Sequence, residues 1–233
     1  MSFKRLFPAI AALILFAISV TPALAVAPTA EAIEKWKNEG ILDAKMAQLQ
    51  AFKDAGGCSP IIYSQSVKDL YRTRFATDAN AVETIKVVVI LVDFSDWTYA
   101  DQARAATRND FDSILFTDRR SDTIVNPTGS MTDYYLEASY GKVFIRGEVF
   151  GWYRMPSTYA YYVGTTDGLT MGPVLAKDAV DIANADIEYD KFDNPGIGVP
   201  VVIVHAGPGA ETGAYGIWSH KSTIFNTPVH DGV

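Results

Sequence analysis

Cysteine and histidine are the scarcest reactive residues in this sequence. The 233 residues hold one cysteine, Cys58, and three histidines, His205, His220 and His230. A single cysteine excludes an intrachain disulfide, so in an oxidising compartment the fold rests on its core or on bound metal. The histidines do not form His-Glu-x-x-His, the helical pattern that turns two imidazoles toward zinc with a glutamate as base. His205 precedes Ala206, His220 precedes Lys221 and His230 precedes Asp231. Scattered in this way, they read first as structural or strand-end residues. A Gly-x-Ser-x-Gly elbow is absent as well. Ser219 and His220 are adjacent, so their side chains diverge in most backbone geometries. GPGAETG is rich in glycine but lacks the Lys-Ser/Thr of a phosphate loop.

Positive charge is in deficit too. Twenty Lys and Arg face 27 Asp and Glu, for a formal charge of −7. Such a chain repels nucleic acid and anionic membrane surfaces, and neither is expected as a partner. After residue 25 no apolar run approaches the ~20 residues of a spanning helix. The first 25 residues have another use. MSFKR is basic, LFPAIAALILFAISV is a short apolar stretch, and TPALA ends in small residues. That layout is a secretory signal peptide cleaved after Ala25, which makes a secreted or extracellular location the expectation. Losing Lys4 and Arg5 takes the charge from −7 to −9.

What remains divides in two. Residues 26–85 read as a helical leader. Gly40, Gly56 and Gly57 break it, and Ile41, Met46, Leu49 and Phe52 recur at helical spacing. Residues 86–233 read as the main domain. Val87 to Val92 is an unbroken, mostly β-branched run, suited to a strand buried on both faces. A helix is expected over Asp101–Phe116, with Phe111, Ile114 and Leu115 inward. A second follows Ser130, an N-cap with Asp133 three residues on, and closes at Gly141. Val143, Ile145 and Val149 then alternate with Arg146 and Glu148 as a half-exposed strand. Met171–Ala185 is expected as a third helix, with Pro173 in its first turn and Met171, Val174, Leu175 and Ile182 on one side. PVVIVHAG is a second buried strand. The order predicts an α/β or α+β sheet domain. In YDKFDNPGIG, Asp190, Asp193 and Asn194 place oxygens around a glycine turn. They are the candidates for calcium, although a solvated turn reads more simply.

Three ordered segments carry a resemblance. VVVILVDFSD, MTDYYLEASYGKVFIRGEVFGWYRMP and VVIVHAGPGAETGAYGIWSHKS resemble the immune inhibitor A family of secreted zinc metalloproteases, peptidase family M6. The match runs from about Val87 to about Lys221, and the leader resembles the family's propeptide. It implies a zincin-like upper subdomain with a mixed twisted sheet flanked by helices, zinc in the full-length protein, and protein or peptide substrates. It also implies that His205, Trp218 and His220 wall the active-site cleft. In that family a His-Glu-x-x-His helix follows the IWSHK-like segment. Here the sequence ends at HDGV, so the zinc ligands and catalytic residues are expected beyond Val233. The expectation is an N-terminal part of a longer gene product, with apolar sheet surface around Val87–Val92 and Val201–Val204 uncovered. Cys58 is the candidate for a latency ligand, its thiolate given to the metal. The other reading is a non-catalytic secreted binding domain on the same fold.

Catalytic zinc takes three protein ligands as its usual minimum. Residues 26–233 expressed alone are therefore expected to lose zinc on dialysis and to leave casein intact. Stoichiometric zinc by atomic absorption, together with casein cleavage, is the contrary result.

Overall fold

The computed structural model describes residues 27–55, 81–101, 105–117, 129–222, 224 and 228–233. Residues 1–25, expected above as a signal peptide, and Cys58 lie outside the described residues.

The central strand, β1 (Glu83–Asp93), opens three residues before the expected start of the main domain. It lies between β2 (Val143–Arg154) and β3 (Val201–His205), and both pairings are parallel. Parallel neighbours require crossovers, and the crossovers put helices on both faces of the sheet. After β1 the chain forms α3 (Arg108–Phe116) and α4 (Met131–Ala138). These cover the side that carries Val87, Val89, Leu91, Ile145 and Val149, with Phe111, Leu115, Phe116 and Met131 packed against it. After β2 come α5 (Tyr159–Val163) and α6 (Gly172–Ala183). They cover Val88, Ile90 and Val92 with Tyr159, Tyr162, Val163, Leu175, Ala179, Val180 and Ala183. The leader forms α1 (Ala30–Asn38) and α2 (Leu42–Asp54), with Gly40 left-handed between them at φ +72°.

The α/β class therefore holds, with helices flanking a three-stranded sheet that is parallel among the described residues. The Ser130–Asp133 capping box and the left-handed Gly141 are as expected. Other readings need correction. The first helix of the main domain begins at Arg108, because Thr107 and Asp110 close a capping box there. Its Ile114 faces solvent, and Phe116 packs in its place. On α6, Val174 and Ile182 are exposed, while Leu175, Ala179, Val180 and Ala183 are buried. The small alanines let this helix approach the sheet closely, which a pattern built on large apolar residues overlooks. On α2, Met46 is exposed, and Leu42, Leu49 and Phe52 do the packing. The expected bare surface on β1 is covered, since Val88 to Val92 have no solvent exposure. β3 is only partly covered, with Val202 exposed.

Gly147 marks the tightest contact on the α3 side. It pairs with Val87, and a Cβ there would lie 2.2 Å from the Val87 carbonyl oxygen and 2.4 Å from the Phe116 ring. Gly147→Ala must push both away. It is expected to cost about 3 kcal/mol, read as a lower denaturant midpoint with an unchanged slope.

Candidate functional site

Parallel strands bring their C-terminal ends to one edge, where open α/β sheets place their sites. Here that edge carries Asp93, Arg154 and His205, paired as Asp93 with Arg154 and Val92 with His205. Asp93 is buried, and Arg154 grips it with two bonds, Nε to Oδ1 at 2.7 Å and Nη2 to Oδ2 at 3.1 Å. The Tyr99 amide adds a third donor at 3.3 Å. Fork-shaped pairing of this kind fixes direction as well as charge. Asp96, three residues on, accepts from the amides of Tyr159 and Ala160 and so ties α5 to the end of β1.

The loop after β3 folds back on itself around Tyr159. The Tyr159 hydroxyl donates to the Pro208 carbonyl at 2.5 Å and accepts from the Ile217 amide at 3.0 Å. Burial, partly offset by the Ile217 amide, pushes its pKa up to about 12, so it stays a neutral bridge. Glycine is required at two points. Gly207 has φ +108°, and a Cβ there would meet the Tyr159 ring at 2.8 Å. At Gly216 a Cβ would lie 2.2 Å from the Pro208 carbonyl oxygen. Glu211 closes the far end, taking the Ser219 hydroxyl at 2.8 Å and the Ser219 amide at 3.2 Å.

All three cleft-wall candidates belong to this segment. His205 ends β3, with its ring centroid 6.0 Å from that of Tyr159. Its Nδ1 donates to the Ala206 carbonyl at 3.1 Å, since a carbonyl can only accept. His220 donates in the same way to the Trp218 carbonyl at 2.6 Å. Burial pulls both imidazoles below their ordinary pKa, so the neutral form is favoured. Trp218 is buried, and its amide donates to the Asp167 carbonyl at 2.8 Å. The leader covers this face: Trp36 packs on Trp218 at 5.8 Å, and Phe52 meets His220 edge-on at 5.3 Å.

The remaining candidates sit elsewhere. Asp190 lies within the 3-10 turn Tyr189–Phe192 and Asp193 caps its end, near the opposite edge of the sheet. There the Asn194 side chain accepts from the Lys86 amide and donates to the carbonyls of Lys86, Phe192 and Gly198. His230 bonds Asp181 at 2.9 Å and stacks on Tyr189. Among the described residues no three His, Cys, Asp or Glu side chains gather in a metal-holding group. The described donors do not by themselves make up a zinc site. Sequence reading missed Tyr159, Asp167 and Glu211. Glu211 alone had a signal, the acid in GPGAETG.

Residues 73–233 match the family model described as immune inhibitor A peptidase M6, catalytic domain. Two curated relatives, each named pre-pro-metalloprotease PrtV, come from two strains of Vibrio cholerae serotype O1. Each is 28% identical over 197 aligned residues, covering 68% of this chain and 21% of the relative. The chain therefore spans about a fifth of their length.

The buried imidazoles give a pH dependence with a definite sign. A base whose pKa is depressed by folding contributes stability above its unfolded value, near 6.5, and loses it as pH falls toward the folded value. Melting temperature should drop between pH 7.5 and pH 5, by roughly 2–4 °C for each kcal/mol lost. His205→Gln should flatten that drop, and an unchanged slope in the variant would remove His205 as its source.

Proposed function

The chain belongs to the immune inhibitor A peptidase M6 family, and on that premise we propose that it is the sheet-bearing part of a secreted zinc-dependent endopeptidase. The observation that carries this reading is the coincidence of family match and geometry. Residues 73–233 match the catalytic domain, and within them the strand ending at His205 and the Tyr159-pinned loop stand at the C-terminal sheet edge. In this reading the loop through Trp218 and His220 walls the cleft, and protein or peptide chains are the substrates. The His-Glu-x-x-His helix would be supplied by sequence following residue 233. Residues 1–25 would direct export, and residues 26–85 would act as a propeptide. No helix among the described residues is long and apolar enough to cross a membrane. Calcium at Asp190 and Asp193, and a Cys58 thiolate on the zinc of the latent enzyme, remain parts of the same proposal.

One competing reading is a secreted binding domain that kept the sheet without the chemistry. The two readings separate on the gene product read in frame past codon 233. For the peptidase, that product is expected to contain His-Glu-x-x-His, retain one zinc, and cleave casein in a chelator-sensitive way. A stop codon directly after Val233, with no zinc and no cleavage, would establish the binding domain instead.

A further inference from the structure

The leader and the main domain meet over one compact face, and the contacts are of several independent kinds. At the start of α1, the Thr29 amide donates to the Glu211 carbonyl at 2.9 Å. Six residues on, Lys35 Nζ donates to the Gly213 carbonyl at 2.7 Å. Ala32 lies against Gly213, where an added Cβ would stand only 3.1 Å from the Ala32 Cα and Cβ. Trp36, Ala32, Leu169, Ala210 and Trp218 form one buried cluster, with Leu42, Leu49 and Phe52 at its margin. From α2, Lys45 Nζ and Gln48 Nε2 reach Asp167 Oδ2 at 2.5 and 3.1 Å.

Asp167 is the informative member. It is buried, and it holds a left-handed backbone at φ +52°. Among the described residues, the donors to its carboxylate are Lys45 and Gln48, both on α2. A buried carboxylate whose counter-charge comes from a different part of the chain is costly to leave bare. The two helices, for their part, share no strand pairing with the sheet. Among the described residues, their backbone–backbone bonds close within α1, α2 and the turn between, apart from the Thr29 bond. The leader therefore sits on the domain as a ligand sits on a receptor, through side chains and two carbonyls.

We propose that this face, centred on Asp167 and Trp218, is a peptide-docking site for a short amphipathic helical pair carrying an indole and a lysine. Its resident occupant is residues 27–55, and it retains them after the backbone between the two parts is cut. Docking there needs no metal, although the peptidase reading makes the same Trp218 a wall of the cleft.

The test uses the full chain with a site-specific protease sequence placed between Ala55 and Ala81. After cutting, the leader should co-elute with the main domain in size exclusion at micromolar concentration. A labelled synthetic peptide of residues 27–55 should exchange into the cut wild-type chain. The same peptide with Lys45→Glu should bind about tenfold to a hundredfold more weakly, and Trp36→Ala should weaken it as well. Lys45→Arg and the exposed Lys37→Glu should bind as wild type does. The main domain is unaltered in every exchange measurement, so misfolding of a variant domain does not enter. Separation of the leader on cutting, or undiminished binding of the Lys45→Glu peptide, overturns the proposal. Exchange that instead yields dimers of the cut chain would show a second copy as the occupant, and would overturn it too. None of these readouts involves catalysis, so failure of the peptidase reading and failure of this one are distinguishable.

Discussion

Burial of β1 on both faces is the constraint on which the rest of this structure depends. Val88, Val89, Ile90, Leu91 and Val92 have no solvent exposure, and each such side chain contributes about 2 kcal/mol relative to exposure. A strand apolar on both sides needs two covering layers. The parallel partners on each side supply them, because each parallel connection must carry its helices across the sheet. Residues alternating along β1 thus sort into two cores, Val87, Val89 and Leu91 under α3 and α4, and Val88, Ile90 and Val92 under α5 and α6. The close approach at Gly147 and the alanine face of α6 are consequences of packing helices tightly on that strand.

The same parallel arrangement generates the site. It delivers Asp93, Arg154 and His205 to one edge and then leaves the chain after His205 to find its own path. That path is fixed by few bonds. Tyr159 holds both ends of the loop through one hydroxyl, Glu211 ties Ser219, and glycines stand where any side chain would strike Tyr159 or Pro208. The loop is hydrogen-bonded on both sides where it meets the sheet. Its outer surface, with Trp218 and His220, is completed by the leader.

Much of the domain was legible in the sequence because its signals are local. A six-residue, mostly β-branched run, a Ser130–Asp133 box and a glycine at 141 act within a few residues of themselves. The inward faces of α2 and α6 were harder, because large apolar residues such as Met46, Val174 and Ile182 turned outward, while on α6 alanines turned in. Periodicity weighs side chains by size, whereas a helix pressed on a sheet selects for closeness.

The sequence by itself determined the class of fold and the family resemblance, since these rest on ordered short segments and on composition. It could not show that Asp167 receives Lys45 across 122 positions, that Tyr159 bridges Pro208 and Ile217, or that Trp36 lies on Trp218. Those pairings join residues far apart along the chain and depend on where two crossovers set down their loops. No local propensity encodes that distance, so only the tertiary structure decided which face the leader covers.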